Sequence, residues 1–476
     1  MKISENKLQK NSVSLILTEI GKRLLNNNVF WEYKDKPVEF VKEIIGADPD
    51  IDQAEILQAL SDFPKIGWRS GHGVGKTTTA SWAAIWFLFT RQYSKVITTA
   101  SVWRQVEKML WSEIAKWVRR CESKLKTRVK YEILKTVIDI GPDWFATGES
   151  SDKPEKMEGF HAEHILYIVD EGKAVPKTTY EAIEGALTTK EAKELVISTP
   201  GEKAGYFYEI FSKKIPGFKT FHTSGEDSPR VSKDWIEEKK LQWGENSPIY
   251  QAKVKGDFPD ISEDILIHLG LIEIALVKEI DVLEPLELGI DVARFGSDKT
   301  VFIIRQGGRV LKIIKTVKED TMQTVGRAAV LIREWNFDLV KVDVIGIGAG
   351  VFDKLHEDFG DIIVEVNVAA KSDDSEKFAN LRAEIFWGLR QRFLDGDISL
   401  IDVNDDELIG ELSNIKYKYN SRGQLLIESK EDMKKRGLPS PNCADSLALC
   451  FYSKNKILPV GSNVQAMEDW YKEDTF

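Results

Sequence analysis

Cysteine is scarce: three residues in 476, Cys121, Cys443 and Cys450, with no C-x-x-C pair. That spacing argues against a disulfide framework or a thiolate zinc site, and the thiols read as small buried apolar residues in a reducing compartment. Histidine is also rare, with six residues. His161 and His164 stand three apart, but no third ligand lies close by, so their spacing alone makes no metal site. Long apolar runs are absent; nothing approaches the roughly 18 residues of a membrane span. The N-terminus, Met-Lys-Ile-Ser-Glu-Asn-Lys, has no apolar leader core, so a cytoplasmic protein is expected. Positive charge is not in excess either, since the net charge is -10. A nucleic-acid partner would have to be met by local basic patches. There is no internal repeat and no low-complexity segment.

What remains is a chain with 42% hydrophobic and 30% charged residues, long enough for two or three domains. Residues 1–45 alternate apolar and charged positions at helical spacing, and a helix is expected over Gln53–Leu60. From Lys65 to about Val254, strand-like and helix-like stretches alternate, which predicts a parallel sheet with helices on both faces. Val102, Val106, Met109, Leu110, Ile114 and Trp117 recur at steps that predict one amphipathic helix. The turn-rich Gly256-Asp-Phe-Pro-Asp ends this block. Residues 262–284 read as mostly helical and connecting. A second α/β block opens with Leu286–Val292 and continues as a hairpin, Thr300–Arg305 and Val310–Val317 around Gly307-Gly308. A helix over Thr321–Trp335 and a strand over Leu339–Val342 follow. The expected domains are 1–255, a connector over 256–284, 285–455, and a tail over 456–476.

The first chemical motif is Arg69-Ser70-Gly71-His72-Gly73-Val74-Gly75-Lys76-Thr77, after a strand (Lys65–Arg69) and before an Ala- and Trp-rich helix (Thr78–Phe89). This is the context of a phosphate-binding loop. Glycines 71, 73 and 75 let backbone amides turn toward phosphates, and the helix N-terminus adds its dipole. Lys76 would bridge the β- and γ-phosphates of ATP, and Thr77 would ligate Mg²⁺. Ser70 stands where the usual pattern has its first glycine. The partner motif is Ile165-Leu-Tyr-Ile-Val-Asp170-Glu171, an apolar strand ending in two carboxylates. Asp170 would hold Mg²⁺ through water, and Glu171 would orient the attacking water. Two elements have two readings each. Ser198 and Thr199, before Pro200, either sense the γ-phosphate or merely end a strand. Gln53 either reads the adenine edge or faces solvent.

The second motif is a spaced set of carboxylates. Asp291 ends the strand Leu288–Asp291, Asp343 ends Leu339–Asp343, and Asp445 lies near the start of a helix that begins after Pro441. Carboxylates from two strand ends and one helix can converge on two Mg²⁺ or Mn²⁺ ions about 4 Å apart, which would activate water and stabilise a leaving oxygen. The absence of Cys and His ligands argues against zinc there. Asp298 is a possible fourth carboxylate, with Glu384 and Asp432 in reserve. Lys416-Tyr-Lys418-Tyr-Asn-Ser-Arg422 reads as a basic, aromatic hairpin, followed by Lys430, Lys434, Lys435 and Arg436. These side chains either track a phosphate backbone or form a solvated charged surface.

In order, these motifs resemble the large terminase subunit of tailed bacteriophages, the DNA-packaging motor. The resemblance is carried by Arg-Ser-Gly-His-Gly-Val-Gly-Lys-Thr, Trp103-Arg-Gln-Val, Gly159-Phe-His-Ala, Ile-Val-Asp-Glu and Gly289-Ile-Asp-Val-Ala-Arg-Phe-Gly. It continues through Val342-Asp-Val-Ile-Gly-Ile-Gly-Ala-Gly, Glu428-Ser-Lys-Glu-Asp-Met and Pro441-Asn-Cys-Ala-Asp-Ser, so it covers about 50–455. It implies an N-terminal P-loop ATPase of the ASCE type and a C-terminal RNase H-like nuclease. It assigns Lys76, Thr77, Asp170 and Glu171 to ATP hydrolysis and Asp291, Asp343 and Asp445 to metal-dependent cutting. It places Ser198-Thr199-Pro200 at a coupling motif and Gln53 at an adenine-reading position. The implied partners are double-stranded DNA, a portal protein and a small terminase subunit. The implied assembly is a homo-oligomer, a pentamer when docked on the portal, working in the host cytoplasm and transiently at the procapsid. Gly172-Lys173 departs from the Ala-Ser more common in relatives. Spacing does not choose an arginine finger among Arg119, Arg120 and Arg128. Two rivals are a helicase fused to an inactive RNase H-like module, and an assembly protein that binds ATP without turning it over.

Overall fold

The computed structural model describes residues 29–453 apart from 152, 213, 261, 263 and 294–298. Asp298, the tail expected over 456–476 and most of the N-terminal helical segment lie outside the described residues. The chain divides into two compact units. One holds residues up to Ile236 together with Gln251–Pro259; the other holds Glu237–Tyr250 and the chain from Asp260 onward. Residues 237–250, expected in the first domain, fall in the second unit, as does the expected connector from Asp260 onward.

In the first unit, α1 (Ile51–Asp62) starts with a capping box, in which Asp50 accepts from the Gln53 amide N–H and Gln53 accepts from that of Asp50. It leads into β1 (Lys65–Ser70), the loop and α2 (Lys76–Thr90). Every residue of α2 from Thr79 to Thr90 is buried, as its apolar, Trp-rich sequence demands. Then come β2 (Lys95–Ala100), α3 (Trp111–Arg120), β3 (Glu132–Ile133), β4 (Val137–Gly141), β5 (Trp144–Gly148) and β6 (His164–Asp170). The unit continues with α4 (Lys177–Ala186), β7 (Glu191–Ser198), α5 (Gly205–Phe211) and β8 (Phe218–Thr223). The eight strands run in the order β3-β4-β5-β2-β6-β7-β1-β8. From β5 to β8 all neighbours are parallel, while β3, β4 and β5 pair antiparallel. One strand, β7, stands between the loop strand β1 and the acidic strand β6, which is the ASCE arrangement.

The expected single helix over Val102–Trp117 is instead interrupted. A turn at Trp103–Gln105 passes through a π-helical stretch, Val106–Leu110, before α3 begins. The extra residue per turn rotates the face, so Met109 is exposed while Trp111 and Val118 are buried.

In the second unit, the described residues of the stretch expected to be a mostly helical connector hold one helix, α6 (Leu269–Val277). Ile265, Leu266, Ile267, Leu269 and Ile272 are buried, so this segment is part of the unit's core. β9 (Leu286–Asp291), β10 (Lys299–Gln306) and β11 (Arg309–Val317) form an antiparallel meander. After α7 (Thr321–Trp335), β12 (Leu339–Asp343) returns parallel to β9; α8 (Gly348–Phe359) then leads to β13 (Ile363–Val366). The order β11-β10-β9-β12-β13 is that of an RNase H-like sheet. One face packs on α7 and α8 through Leu288, Ile290, Val340, Val342, Ala328 and Val351. The remaining elements are α9 (Leu381–Asp395), α10 (Asp406–Leu412), the hairpin β14 (Tyr417–Tyr419) and β15 (Leu425–Ile427), α11 (Lys430–Lys435) and α12 (Asn442–Phe451).

Helix α12 lies directly on β9. A Cβ at Gly289 would stand 2.6 Å from the Ser446 carbonyl oxygen, so only glycine permits this approach. Ser446 Oγ lies 3.1 Å from both the Gly289 and Val301 carbonyl oxygens. At the far end of α12, Arg305 and Lys341 donate to the Cys450 carbonyl, and both pair with buried Glu287. The helix that carries Asp445 is thus fixed at both ends.

Candidate nucleotide site and carboxylate cluster

At the C-terminal edge of the first sheet the loop is held open by its glycines. Gly73 and Gly75 take φ of +77° and +92°, values that disfavour any side chain. At Gly71 a Cβ would stand 2.2 Å from the Val254 carbonyl oxygen. The segment Gln251–Pro259 braces the loop from behind: the His72 N–H donates to the Lys253 carbonyl at 2.7 Å. Sequence reasoning missed this brace. Val74 is buried, and the His72 side chain is exposed.

Lys76 is buried, and its ammonium donates to the Gly71 carbonyl at 2.8 Å and to Ser70 Oγ at 3.1 Å. Ser70, the departure from glycine, therefore contacts the loop lysine. Burial lowers the Lys76 pKa to about 8, although Glu171 and Asp170 favour its charged form. Thr77 Oγ1 lies 3.4 Å from Asp170 Oδ2, so a hydroxyl and a carboxylate face each other as a Mg²⁺ ligand pair would. Burial, then Glu171, pushes the Asp170 carboxyl up to about 7.

Glu171 sits at φ +50°, a left-handed conformation that costs a non-glycine residue about 1–2 kcal/mol. Its Oε2 accepts from Ser198 Oγ at 3.2 Å and from Thr199 Oγ1 at 3.5 Å. The structure therefore brings Ser198 and Thr199 to the catalytic candidate. Gln53 is fully buried beside the loop. Its Nε2 donates to the Gly75 carbonyl at 3.4 Å, and its Oε1 accepts from Arg230 at 2.6 Å. The amide is committed to these partners and to its capping box, and it does not face solvent. Arg230, which also pairs with Asp50, carried no signal in the sequence.

Arg69 is not brought to the phosphate side of the loop. Its guanidinium donates to the Gly256 carbonyl and to Asp257 at 2.6 Å each and lies over the rings of Phe211 and Phe258. Strand alternation explains this, since neighbouring residues of β1 point to opposite faces. Two candidate arginine fingers are likewise engaged elsewhere: Arg128 pairs with Glu32, and Arg120 donates to the Gly46 carbonyl. His164 is part-buried, 3.9 Å from Glu191. Among the described residues, neither His161 nor His164 joins a group of potential metal ligands.

In the second unit, Asp291 and Asp343 end adjacent parallel strands, and α12 brings Asp445 beside them. Asp291 and Asp445 meet a lysine or an arginine that was not assigned to the site from the sequence. Lys430, in the first turn of α11, has its ammonium 2.8 Å from Asp445 and 4.0 Å from Asp291. Arg382, on α9, donates to Asp445 at 3.1 Å. Asp343 Oδ1 accepts from the Ile345 N–H at 3.0 Å. A cavity of about 400 Å³ opens here, lined by Asp343, Arg382, Lys430 and Asp445.

Burial pushes the Asp291 carboxyl up to about 7; Lys430 opposes this, and Asp445 and Asp343 add to it. Burial also raises Asp343. Burial works against ionisation of Asp445 too, but Arg382 and Lys430 overcome it and hold its pKa below the usual range. Three carboxylates against two cations leave a site that attracts positive charge.

Neither reserve residue joins the three. Glu384 accepts from Ser372 and the Asp373 N–H, and Asp432 pairs with Lys435. The hairpin cations Lys416 and Lys418 face Asp264 and Asp432 at 3.0 and 3.9 Å. Among the described residues, the group whose ligand atoms lie close enough to share an ion is Asp405, Glu407 and Cys443. Lys315 and Lys299 already donate to those carboxylates at 2.7–2.8 Å, which balances their charge.

No family model matches the sequence. The chain is 28% identical over 469 residues to a "Probable terminase, large subunit" of Enterobacteria phage P7, covering 89% of this chain and 93% of that one. Its resemblance to large terminase subunits thus runs along nearly the whole length. Among solved structures, it is similar to the ATPase domain of the Thermus phage P74-26 large terminase, with 21% identity and a TM-score of 0.41 over 47% of this chain and 98% of that one. It is also similar to the nuclease domain of the large terminase subunit of bacterial virus Sf6, with 22% identity and a TM-score of 0.36 over 40% of this chain and 99% of that one. The two strand orders carry the fold.

Proposed function

We propose that the chain is the large subunit of a viral DNA-packaging motor. It hydrolyses ATP to drive double-stranded DNA into a procapsid and cuts concatemeric DNA with a two-metal endonuclease. The observation that carries this reading is the presence, in one chain, of a braced phosphate loop with Glu171 beside it and of three neighbouring aspartates, two of which line a cavity.

The residues at each site fit the groups this function requires. For Mg²⁺-ATP, Thr77 and Asp170 offer facing oxygens, and Lys76 offers a buried ammonium. Glu171 would orient water, with Ser198 and Thr199 fixing its carboxylate. In the nuclease, Asp291, Asp343 and Asp445 would hold divalent cations, Mg²⁺ or Mn²⁺, as hard oxygen ligands. Bound there, the cations would lower the pKa of a water and neutralise the attacked phosphate. Arg382 fixes the Asp445 carboxylate, and Lys430 would offer a positive charge beside the phosphodiester.

Double-stranded DNA, a portal protein and a small terminase subunit are the partners this function requires. A ring of five copies on the portal, in the host cytoplasm, is the assembly it implies. The name of the phage P7 relative and the motif order support the reading. Plasmid digestion with Mg²⁺ or Mn²⁺ tests it, alongside phosphate release from the same preparation. Wild type should cut and hydrolyse; Asp291→Ala should hydrolyse without cutting. A wild-type protein without metal-dependent cutting would remove the nuclease half of the proposal.

A further inference from the structure

Beside the last glycine of the loop lies a cation with no part in the machinery above. Lys76 reaches back to the Ser70 and Gly71 carbonyls, at the start of the loop. Gly75, at the other end, is the cap residue of α2. A triphosphate gripped by Lys76 at its β- and γ-phosphates lays its α-phosphate at the start of that helix, so the nucleoside leaves the loop beside Gly75. The turns after β8 cover this end. Val231 Cγ2 would stand 3.5 Å from a Cβ at Gly73, and Arg230 Cδ 3.4 Å from one at Gly75. Buried Ser228 holds the backbone there: its Oγ accepts from the Arg230 N–H and its carbonyl from the Val231 N–H, each at 3.3 Å. Two polar side chains meet over Gly75, and they divide the roles. Gln53 is fully buried, with Oε1 accepting from the Asp50 N–H and from Arg230 Nη2, and Nε2 on the Gly75 carbonyl. No edge of that amide reaches solvent. Arg230 does reach it, with a side chain 35% exposed. Its Nε donates to Asp50 at 2.5 Å and its Nη2 to Gln53 at 2.6 Å, so one edge of the guanidinium is anchored and its plane is set. Among the described residues, Nη1 has no partner.

We propose that Arg230 is the base-contacting residue of the nucleotide site, its guanidinium stacking on the purine ring, with Asp50 and Gln53 as the positioning residues that hold it. The inference rests on the ATPase reading above. A guanidinium suits the task because it is planar, weakly hydrated and stacks on aromatic faces. Its anchors fix it before a ligand arrives, so little side-chain freedom is lost on binding. Asp50 balances its charge, so the contact adds affinity through the ring and not through the phosphates. Inorganic tripolyphosphate offers the loop its phosphates without a ring, and it therefore separates a base contact from a support of the loop.

The test measures binding by isothermal titration calorimetry, with the full chain, Mg²⁺, a non-hydrolysable ATP analogue and inorganic tripolyphosphate. Arg230→Lys keeps a positive charge for Asp50 and removes the planar group. It should weaken the ATP analogue about fivefold, in the range of one stacked cation, and change tripolyphosphate by less than about twofold. Equal weakening of both ligands would make Arg230 a support of the loop, and unchanged binding of the analogue would leave it without a base contact; either result overturns the inference. Lys76→Ala, which removes a phosphate ligand, should weaken both ligands together. If wild type binds neither ligand, or Lys76→Ala changes neither, the ATPase reading fails as well. If those two proteins behave as expected while Arg230→Lys binds the analogue like wild type, only this inference fails.

Discussion

Each unit ends a buried strand in an aspartate, and the two aspartates have nearly the same intrinsic chemistry. Burial pushes both Asp170 and Asp291 up to about 7. What differs is the company each keeps. Around Asp170 the nearby cation, Lys76, donates to backbone carbonyls and a serine hydroxyl and not to a carboxylate. A polyanion entering there meets donors already arranged for it. Around Asp291 the cations Lys430 and Arg382 pair directly with a carboxylate, and the carboxylates outnumber them. A cation entering there displaces an ammonium. The same strand-end residue is therefore one ligand in an anion site and one ligand in a cation site, and the neighbouring elements decide which.

The largest effects should separate the two sites completely. Glu171→Ala should lower phosphate release by about 10²–10⁴-fold, the usual contribution of a positioned base, and leave cutting intact. Asp343→Ala or Asp445→Ala should do the reverse, because the missing oxygen misplaces the metals and the water. Normal phosphate release by Glu171→Ala would remove it from the catalytic role. Joint loss of both activities in Asp445→Ala would instead point to misfolding.

A second pair of substitutions tests the packing beneath each site. Gly289→Ala places a methyl group against the Ser446 backbone, which cannot step aside without moving Asp445. Gly172→Ala meets the tips of Tyr180 and Val196, which have more freedom. Overpacking of this kind costs about 1–3 kcal/mol, and Gly289→Ala belongs at the upper end. Urea unfolding monitored by circular dichroism should show the larger loss in Gly289→Ala, together with weaker cutting. Equal, negligible losses would mean that the helix–strand approach has slack.

How much of this was legible from residues alone follows from range. The phosphate loop, the Asp-Glu strand end, the hairpin around Gly307-Gly308 and α7 were readable because their signals are local: glycines, apolar strands and turn residues in sequence. Arg382 was not, and Lys430 was readable only as one of a run of basic residues, because each reaches Asp445 from a separate element. Arg69 was read into the loop by adjacency, and strand alternation sent it to the other face. The helix over Val102–Trp117 failed for a related reason. A π-turn shifts the face by one residue without changing composition, so Met109 and Trp111 exchange roles. The segment 262–284 reads as mostly helical and connecting, yet its apolar residues Ile265–Ile267, Leu269 and Ile272 are buried.

The pH dependence should sharpen the contrast. In the metal-free protein Asp291 binds its proton more tightly folded than unfolded. Its contribution to stability is therefore present at low pH and lost as pH rises from the ordinary carboxylate range through about 7. Divalent metal must displace that proton, so metal affinity should fall as pH drops below about 7, by about tenfold per pH unit for one proton. At fixed, sub-saturating Mn²⁺ the rise in Tm should be larger at pH 8 than at pH 6, and Asp291→Asn should flatten the difference. In the nucleotide site Asp170 imposes the same lower limit on Mg²⁺. Lys76, lowered to about 8, adds an upper one, because ATP needs the ammonium charged. Mg²⁺-ATP affinity should thus be bell-shaped in pH, whereas metal affinity in the second unit should only rise to a plateau. A plateau for ATP above pH 8 would contradict the buried setting of Lys76.

The smallest effect compares two capping boxes of the same design. Asp50 and Gln53 close the start of α1, and Asp320 and Gln323 close the start of α7 with the same pair of hydrogen bonds. Replacing either glutamine with alanine removes one reciprocal bond and should cost about 0.5–1 kcal/mol of stability in its own unit. Gln323 is a local cap and nothing more, so Gln323→Ala should leave both activities unchanged. Gln53 also holds the Gly75 carbonyl and receives Arg230, so Gln53→Ala loosens the loop at its last glycine and leaves the guanidinium without its acceptor. The expected result is a rise of about threefold to tenfold in the KM for ATP with kcat little changed, as for a residue that shapes binding and not the chemical step. If the two variants prove equally silent in phosphate release, Gln53 is only a helix cap, and the phosphate loop keeps its shape without it.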